Sequence, residues 1–168
     1  MRIPFSAALG LCLTGAFVVA ALFAQVIAPY PIDLAVGGVW EGPSPKYWLG
    51  TDTIGRDILS RLIYGGQVTI FVALVSSLLS FSMGAFFGFL AVVRGGWVDT
   101  GLSRLVDLMM AVPSLIVALV VLSVLPLNLG VLILVMGILD SPRVFRLSRA
   151  VAADIAVMDY VEAARLRG

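Results

Sequence analysis

Residues 68–93 read VTIFVALVSSLLSFSMGAFFGFLAVV, an uninterrupted run of 26 residues without a charge. About 20 consecutive apolar residues are enough for an α-helix to cross the hydrocarbon core of a bilayer, so this segment predicts a membrane-spanning helix. Four small residues recur at every fourth position and share one stripe of that helix: Ser76, Ser80, Gly84 and Gly88. Small side chains let a second helix approach closely, which predicts a packing surface. The alternative is that Gly and Ser are simply common in membrane helices.

The composition of the whole chain agrees with a membrane protein. Of its 168 residues, 61% are hydrophobic and only 12% are charged, whereas soluble domains contain about 45–50% apolar and about 25% charged residues. The 11 basic residues are nearly balanced by 10 acidic residues, which argues against nucleic-acid binding. We therefore predict an all-α membrane protein with about four transmembrane helices.

Three further segments supply the remaining predicted crossings. Residues 5–28 carry no charge over 24 positions, and a cleaved signal peptide is the alternative there, although a signal core typically has only about 7–15 apolar residues. Residues 108–125 form the third crossing, with a kink predicted at Pro113. Residues 127–139 offer only 13 uncharged positions, too few to span alone. The fourth segment is therefore either re-entrant or a helix that continues towards Leu147.

Continuation of the fourth helix would carry two charged residues into the membrane region. Asp140 and Arg143 are three positions apart, a spacing that lets their side chains pair on a helix. An ionisable group at membrane depth is by default a functional candidate, so we predict that both face the protein interior or a water-filled path. The alternative places these charges at the lipid headgroups.

The distribution of basic residues sets the orientation. With four crossings and an internal N-terminus, eight basic residues face the cytoplasm and three face outwards, so both termini are predicted to be cytoplasmic. The chain then divides into an N-terminal transmembrane helix (1–28), an extracytoplasmic loop (29–65) and a core with three membrane segments (66–168). Within the loop, Asp52 or Thr53 is predicted to cap a short amphipathic helix that ends near Tyr64 and lies on the membrane surface.

Several kinds of chemistry are excluded by missing residues. The chain has no His, one Cys (Cys12) and one Lys (Lys46), so it lacks imidazole bases, Cys-cluster metal sites and the GxxxxGK[ST] phosphate loop. No catalytic residue, metal ligand or bound cofactor is predicted. If ATP powers this protein, a partner subunit hydrolyses it.

The last ten residues predict a short cytoplasmic helix. Asp159 and Glu162 have the spacing of a capping box, strong helix formers follow, and Gly168 suits a helix end. This helix is the best candidate for a partner to hold. Its predicted docking residues are Asp159, Tyr160, Glu162, Ala163, Ala164, Arg165 and Gly168.

An ordered set of short motifs resembles the dipeptide, oligopeptide and nickel branch of ABC-transporter permeases. The resemblance covers most of the chain from about Pro29 onward and is specific as a set, although each motif is weak by itself. The motifs are Leu49-Gly50-Thr51-Asp52, Gly55-Arg56-Asp57, Leu59-Ser60-Arg61, Gly95-Gly96-Trp97-Val98-Asp99, Arg104, Asp107, Pro113, Glu162-Ala163-Ala164 and Gly168.

The resemblance implies a type I permease subunit of an ATP-driven importer in the bacterial inner membrane. Its partners would be a second permease, two ATPase subunits that hold ATP and Mg²⁺, an extracytoplasmic solute-binding protein and membrane lipid. The cytoplasmic helix would couple ATPase closure to alternating access for peptides, or for nickel or another small solute. Such permeases continue beyond the glycine at 168, so the chain is expected to be C-terminally truncated. The alternative function is a membrane anchor or assembly subunit without a pathway of its own.

Overall fold

The computed structural model describes residues 4–126 and 128–158. Six helices make up this part of the chain, which confirms the predicted all-α class: α1 (Phe5–Leu22), α2 (Ala24–Ile27), α3 (Ile58–Arg94), α4 (Gly96–Ala111), α5 (Ser114–Val124) and α6 (Leu129–Ala156). The predicted docking helix at residues 159–168 lies outside the described residues. The chain forms two compact units, Met1–Phe71 and Val72–Gly168, and each is described by itself.

In the first unit, the predicted N-terminal crossing is helical but interrupted. α1 covers 18 residues with a mean hydropathy of 2.1. It ends at Leu22, and Phe23, where φ is −103° and ψ is 23°, separates it from the single turn of α2. The helical structure ends before Pro29, because proline has no backbone N–H with which to continue the helical hydrogen bonds.

The prediction of a separate surface helix in the loop is wrong in two respects. The helix begins later than Asp52 or Thr53, and it is continuous with the second crossing. Residues 52–57 are irregular, and α3 begins at Ile58 and runs for 37 residues to Arg94. The Asp57 carboxylate caps this start, since its Oδ2 accepts hydrogen bonds from the Ser60 backbone N–H (2.8 Å) and Oγ (2.7 Å). Gly65 and Gly66 do not end the helix, because a helical Gly costs only about 1 kcal/mol. The amphipathic turns after Asp57 and the second crossing are therefore one helix.

In the second unit, α3 ends where the sequence places a glycine pair. Gly95 and Gly96 have φ of 59° and 52°, values that glycine adopts without a Cβ penalty. The chain then enters α4. At Pro113 the bend between α4 and α5 reaches 83°, a break rather than the kink that the sequence predicts, because Val112 before the proline is extended (φ −100°, ψ 133°).

α6 continues without interruption through the charged positions, as the sequence favours. Pro142 lies inside the helix and removes one backbone N–H, which leaves the Ile138 carbonyl without its helical donor. The Ser141 hydroxyl donates to that carbonyl at 2.8 Å. The Ser141 side chain therefore supplies the donor that Pro142 lacks.

Within the described residues, α1 and α3 are long and apolar enough to cross a membrane, and the bent α4–α5 pair adds a third span if it crosses as one. The charges of α6 interrupt its apolar stretch. Length and composition thus support two or three of the four predicted crossings.

Candidate functional site

The small-residue stripe of α3 lies directly against the backbone of α6. A Cβ added at Gly84 would stand 2.7 Å from the Ser141 carbonyl oxygen, and one added at Gly88 would stand 2.9 Å from the Phe145 carbonyl oxygen. Real Cβ atoms do not approach other heavy atoms this closely, so only glycine permits this separation. Ser76 and Ser80, on the same stripe, are buried. The arrangement is a close helix contact of the kind that stabilises membrane proteins without a hydrophobic driving force.

Two ion pairs join α4 to α6. The Arg149 guanidinium donates to both oxygens of Asp99, with Nε–Oδ1 at 2.5 Å and Nη2–Oδ2 at 2.6 Å. Arg146 Nη2 donates to Asp107 Oδ1 at 2.6 Å. We call these four residues the α4–α6 clamp. A bidentate arginine–carboxylate pair fixes orientation as well as distance, so the Asp99–Arg149 pair is the more directional of the two.

An apolar contact supports the clamp. Phe145, one residue before Arg146 on α6, is buried with Val106 of α4 and Ala91 of α3. The contact lies between residues that are far apart in sequence, and each side chain is at most 8% exposed. The three helices α3, α4 and α6 therefore share one small core next to the clamp.

The sequence did not identify the clamp as a site. Asp99 and Asp107 occur within motifs of the resemblance, and nothing in those motifs pairs either residue with an arginine. The partners of the Asp99 pair are 50 positions apart, and no periodicity within one helix reports on a contact between two helices. A usable signal is the recurrence of arginines at 143, 146 and 149 on one side of α6.

The predicted intramembrane pair lies on α6, close to the break between α4 and α5. Arg143 Nη1 donates to Asp140 Oδ1 at 3.1 Å, and both side chains are more than half exposed in this chain. Arg143 also lines a cavity of about 270 Å³. The other residues of its wall are Met109, Met110, Val112, Pro113, Ser114, Leu115 and Leu139.

The loop between α2 and α3 is organised around one carboxylate. Asp52 Oδ1 accepts the backbone N–H groups of Ile54 (2.9 Å) and Arg56 (3.0 Å), and Oδ2 accepts Arg56 Nε (3.0 Å) and Arg61 Nη1 (2.6 Å). The hydrogen bond from the Arg56 backbone N–H is the main reason that the pKa of Asp52 lies far below its usual range. Asp52 is thus a loop organiser and not the predicted helix cap.

A second set of hydrogen bonds closes the same loop. Thr51, which is 1% exposed, donates through Oγ1 to the Gly38 carbonyl (2.6 Å) and accepts the Glu41 backbone N–H (2.8 Å). The Tyr30 N–H donates to Ser60 Oγ at 3.0 Å and ties the loop to the first turns of α3. The loop therefore has a defined conformation although the described residues 29–57 contain no helix and only an isolated bridge between Thr51 and Asp57.

Two further predictions concern the docking segment and metal binding. All seven predicted docking residues lie at 159–168, which the structure does not describe. Among the residues that it does describe, no cluster of three or more His, Cys, Asp or Glu side chains is arranged to hold a metal ion.

Comparison with known proteins identifies the class of protein. Residues 80–168 match the family described as "binding-protein-dependent transport system inner membrane component". The match includes the stripe residues Ser80, Gly84 and Gly88, all of α4 to α6, the clamp and the predicted docking segment. The chain belongs to this family of inner-membrane transport components.

Individual relatives narrow the comparison. The chain is similar to the dipeptide transport system permease protein of Haemophilus influenzae (36% identity over 90% of this chain and 55% of the relative). It is also similar to a di/tripeptide transport system permease protein of Pseudomonas aeruginosa (36% identity, 88% and 51%). A third relative is the glutathione transport system permease protein of Pectobacterium atrosepticum (30% identity, 88% and 50%). The chain spans about half the length of these curated relatives.

Proposed function

We propose that the protein is a permease subunit of an ATP-driven ABC importer that carries dipeptides or short oligopeptides across the bacterial inner membrane. The observation that carries this proposal is the family match over residues 80–168. The substrate class is supported by the printed functions of the dipeptide and di/tripeptide relatives. As the family description implies, an extracytoplasmic binding protein delivers the solute.

The complete importer contains several subunits. A second permease completes the pathway, and two ATPase subunits hold ATP and Mg²⁺ and hydrolyse the nucleotide. This chain binds no cofactor and performs no catalysis. Its N- and C-termini face the cytoplasm, where residues 159–168 dock onto an ATPase subunit through Glu162, Ala163, Ala164 and Gly168.

The described helices suggest how closure of the ATPases reaches the membrane. α6 is a continuous helix of 28 residues that ends at Ala156, three residues before the docking segment. The clamp fixes α6 to α4, and the bend at Pro113 connects α4 to α5. A displacement of the α6 end therefore moves α4 with it and changes the position of α5.

In this mechanism, ATP acts through differential binding. ATP binds the closed arrangement of the ATPases more tightly than the open one, so it shifts the population of permease states towards one side of the membrane. The clamp makes α4 and α6 move as one body. A displacement of α6 is therefore passed on to α4 and is not lost through sliding of the two helices against each other.

Co-purification tests the docking part of this proposal. Ala163→Arg introduces a long charged side chain where close approach is required, and we expect the tagged subunit to lose its ATPase partner while its membrane insertion is unchanged. Ala153→Arg is the matched control, because Ala153 is exposed on α6 and lies ten positions before the docking residue. Full retention of the ATPase by the Ala163 variant would favour a membrane anchor over a coupled permease.

A further inference from the structure

The loop between α2 and α3 buries polar side chains and exposes apolar ones. Its residues Thr51, Asp52 and Asp57 are buried within the hydrogen bonds described above. Large apolar side chains of the same loop are exposed, and we call them the apolar loop surface: Leu34, Val39, Trp40, Trp48, Leu49 and Ile54. A concentration of exposed apolar side chains marks a surface that contacts a partner or a membrane.

Backbone hydrogen bonds hold two parts of this surface next to each other. The Trp40 N–H donates to the Asp52 carbonyl at 3.2 Å, and the Thr51 N–H donates to the Glu41 carbonyl at 3.0 Å. The segment of Trp40 therefore runs beside the segment that leads to Ile54. The surface belongs to one ordered structure, because the same segments carry the side-chain hydrogen bonds of Thr51 and Asp52.

Trp40 has a backbone conformation that a bulky residue does not favour. Its φ is 56°, and it is the only non-glycine residue with a positive φ in the described part of the chain. Such a conformation persists only where the surrounding structure imposes it. The side chain is 69% exposed, so the fold gains little from the indole ring. Glycine would suit this backbone better, which indicates that the ring serves a contact that the described residues do not supply.

The distribution of aromatic residues indicates that this contact is the membrane surface. Residues 30–64 contain two of the three tryptophans and three of the four tyrosines of the chain. Trp and Tyr are enriched where the hydrocarbon core meets the lipid headgroups. Their rings are apolar, whereas their N–H and O–H groups form hydrogen bonds in the wet part of that region.

Both ends of the loop join helices that are long and apolar enough to cross a membrane, α1 with α2 on one side and α3 on the other. The charge-free run at residues 5–28 ends directly before Pro29, so the loop begins at the end of an apolar helix. The Tyr30 N–H donates to Ser60 Oγ at 3.0 Å, so the first residues of the loop lie beside the first turn of α3. The loop is therefore held close to the membrane boundary at both ends.

We propose that the apolar loop surface lies in the headgroup region of the bilayer, with the rings of Trp40 and Trp48 inserted at the boundary with the acyl chains. The partner is a phospholipid surface, and it need not be anionic, because Arg56 and Arg61 are both paired with Asp52. Insertion fixes the depth at which α3 enters the bilayer. The inference does not depend on the transported solute or on the proposed function.

Fluorescence quenching of single tryptophans tests the inference. The full chain is reconstituted into phosphatidylcholine vesicles. Trp48→Phe with Trp97→Phe leaves Trp40 as one reporter, and Trp40→Phe with Trp97→Phe leaves Trp48 as the other. Because an interfacial group lies about 5–10 Å into the boundary, lipids brominated near the start of their acyl chains should quench roughly half or more of each emission. Iodide on both sides of the membrane should quench each reporter several-fold less than it quenches dissolved N-acetyltryptophanamide.

A matched pair of variants separates membrane contact from folding. In the Trp48 reporter, Trp40 is replaced either by Phe, which keeps an aromatic ring, or by Gly, which suits the backbone and removes the ring. Relative to Trp40→Phe, Trp40→Gly should lose about half of the quenching of Trp48 by brominated lipid, since one of two inserted rings is absent. Hydrogen-exchange protection of residues 50–57 should be the same in both variants. Addition of anionic phosphatidylglycerol to the vesicles should leave the quenching unchanged.

Three results would overturn the inference. Iodide quenching of both reporters equal to that of N-acetyltryptophanamide, without quenching by brominated lipid, would place the surface in water and leave a protein outside the membrane as its partner. Protection of both reporters from both quenchers would show that protein already covers the surface. Equal quenching of Trp48 in the Phe and Gly variants would show that the ring of Trp40 does not anchor the loop.

Discussion

Substitution of Gly84 by alanine places a methyl group between two helices that are already in contact. The new Cβ would lie 2.6 Å from Val144 Cβ, 2.7 Å from the Ser141 carbonyl oxygen and 2.8 Å from the Phe145 backbone nitrogen. Two of these three atoms belong to the α6 backbone, so no change of rotamer relieves the clash. The helices must separate, or α3 must rotate.

The size of the effect follows from these distances. Restoring the shortest contact from 2.6 Å to the 3.4 Å of ordinary packing requires a local displacement of about 0.8 Å. Overpacking of this kind costs about 1–3 kcal/mol, and the better helix propensity of alanine returns about 1 kcal/mol. The expected net loss of unfolding free energy is up to about 2 kcal/mol, which lowers the folded-to-unfolded ratio by as much as roughly 30-fold.

Gly101→Ala provides a matched control in the same unit. Gly101 lies within α4, and a Cβ added there meets no atom within 4 Å. The same chemical change should therefore stabilise the protein by about 1 kcal/mol through helix propensity alone. Unfolding of the purified protein in mixed micelles, followed by circular dichroism, measures both variants. Opposite signs are expected, and stabilisation by Gly84→Ala equal to that by Gly101→Ala would refute the close α3–α6 contact.

Two further predictions concern the loop and the orientation. The pKa of Asp52 is lower in the folded loop than its ordinary value of 3.8, so its stabilising contribution is complete above about pH 5 and is lost as the pH falls below 3.8. The hydrogen-exchange protection factors of residues 29–57, which are corrected for the intrinsic effect of pH on exchange, should therefore fall only in acid. Asp52→Asn should already have lower protection factors at pH 7 and should respond less to acid. Equal protection in both proteins at pH 7 would contradict the role of Asp52. In a Cys12→Ser background, a membrane-impermeant thiol reagent applied to intact spheroplasts should label Gly42→Cys and spare Gly168→Cys, and the reverse pattern would invert the proposed topology.

The sequence predicted the features that depend on local chemistry. Long charge-free runs predict the helical class, the run at 68–93 ends one residue before α3 does, and the short apolar run before Asp140 indicates that α6 continues through its charges. Each of these follows from composition or from spacing along one helix. The start of α3 was misplaced because Asp52 and Asp57 are both good capping residues, and the sequence contains no signal that Asp52 is engaged by Arg56 and Arg61.

Features that join distant segments could not be predicted from one sequence. The clamp connects α4 to α6, and its geometry depends on the direction in which each helix leaves its preceding turn. The bend at Pro113 was expected, but its angle depends on the extended conformation of Val112 and on packing of α5 against α6. Opposite charges on two helices are compatible with many pairings, and only the fold selects Asp99 with Arg149.

Simultaneous measurement of ATP hydrolysis and dipeptide uptake in proteoliposomes tests the coupling mechanism most directly. The complete complex, with its binding protein, is compared with Asp99→Asn and with the control Arg104→Gln. Loss of the partly exposed bidentate pair is expected to weaken the α4–α6 linkage by about 1 kcal/mol, so Asp99→Asn should lower the number of peptides moved per ATP roughly fivefold. Hydrolysis should continue, and the control should match the wild type. An unchanged ratio in Asp99→Asn, or ATP hydrolysis by the wild type without peptide accumulation, would contradict the account.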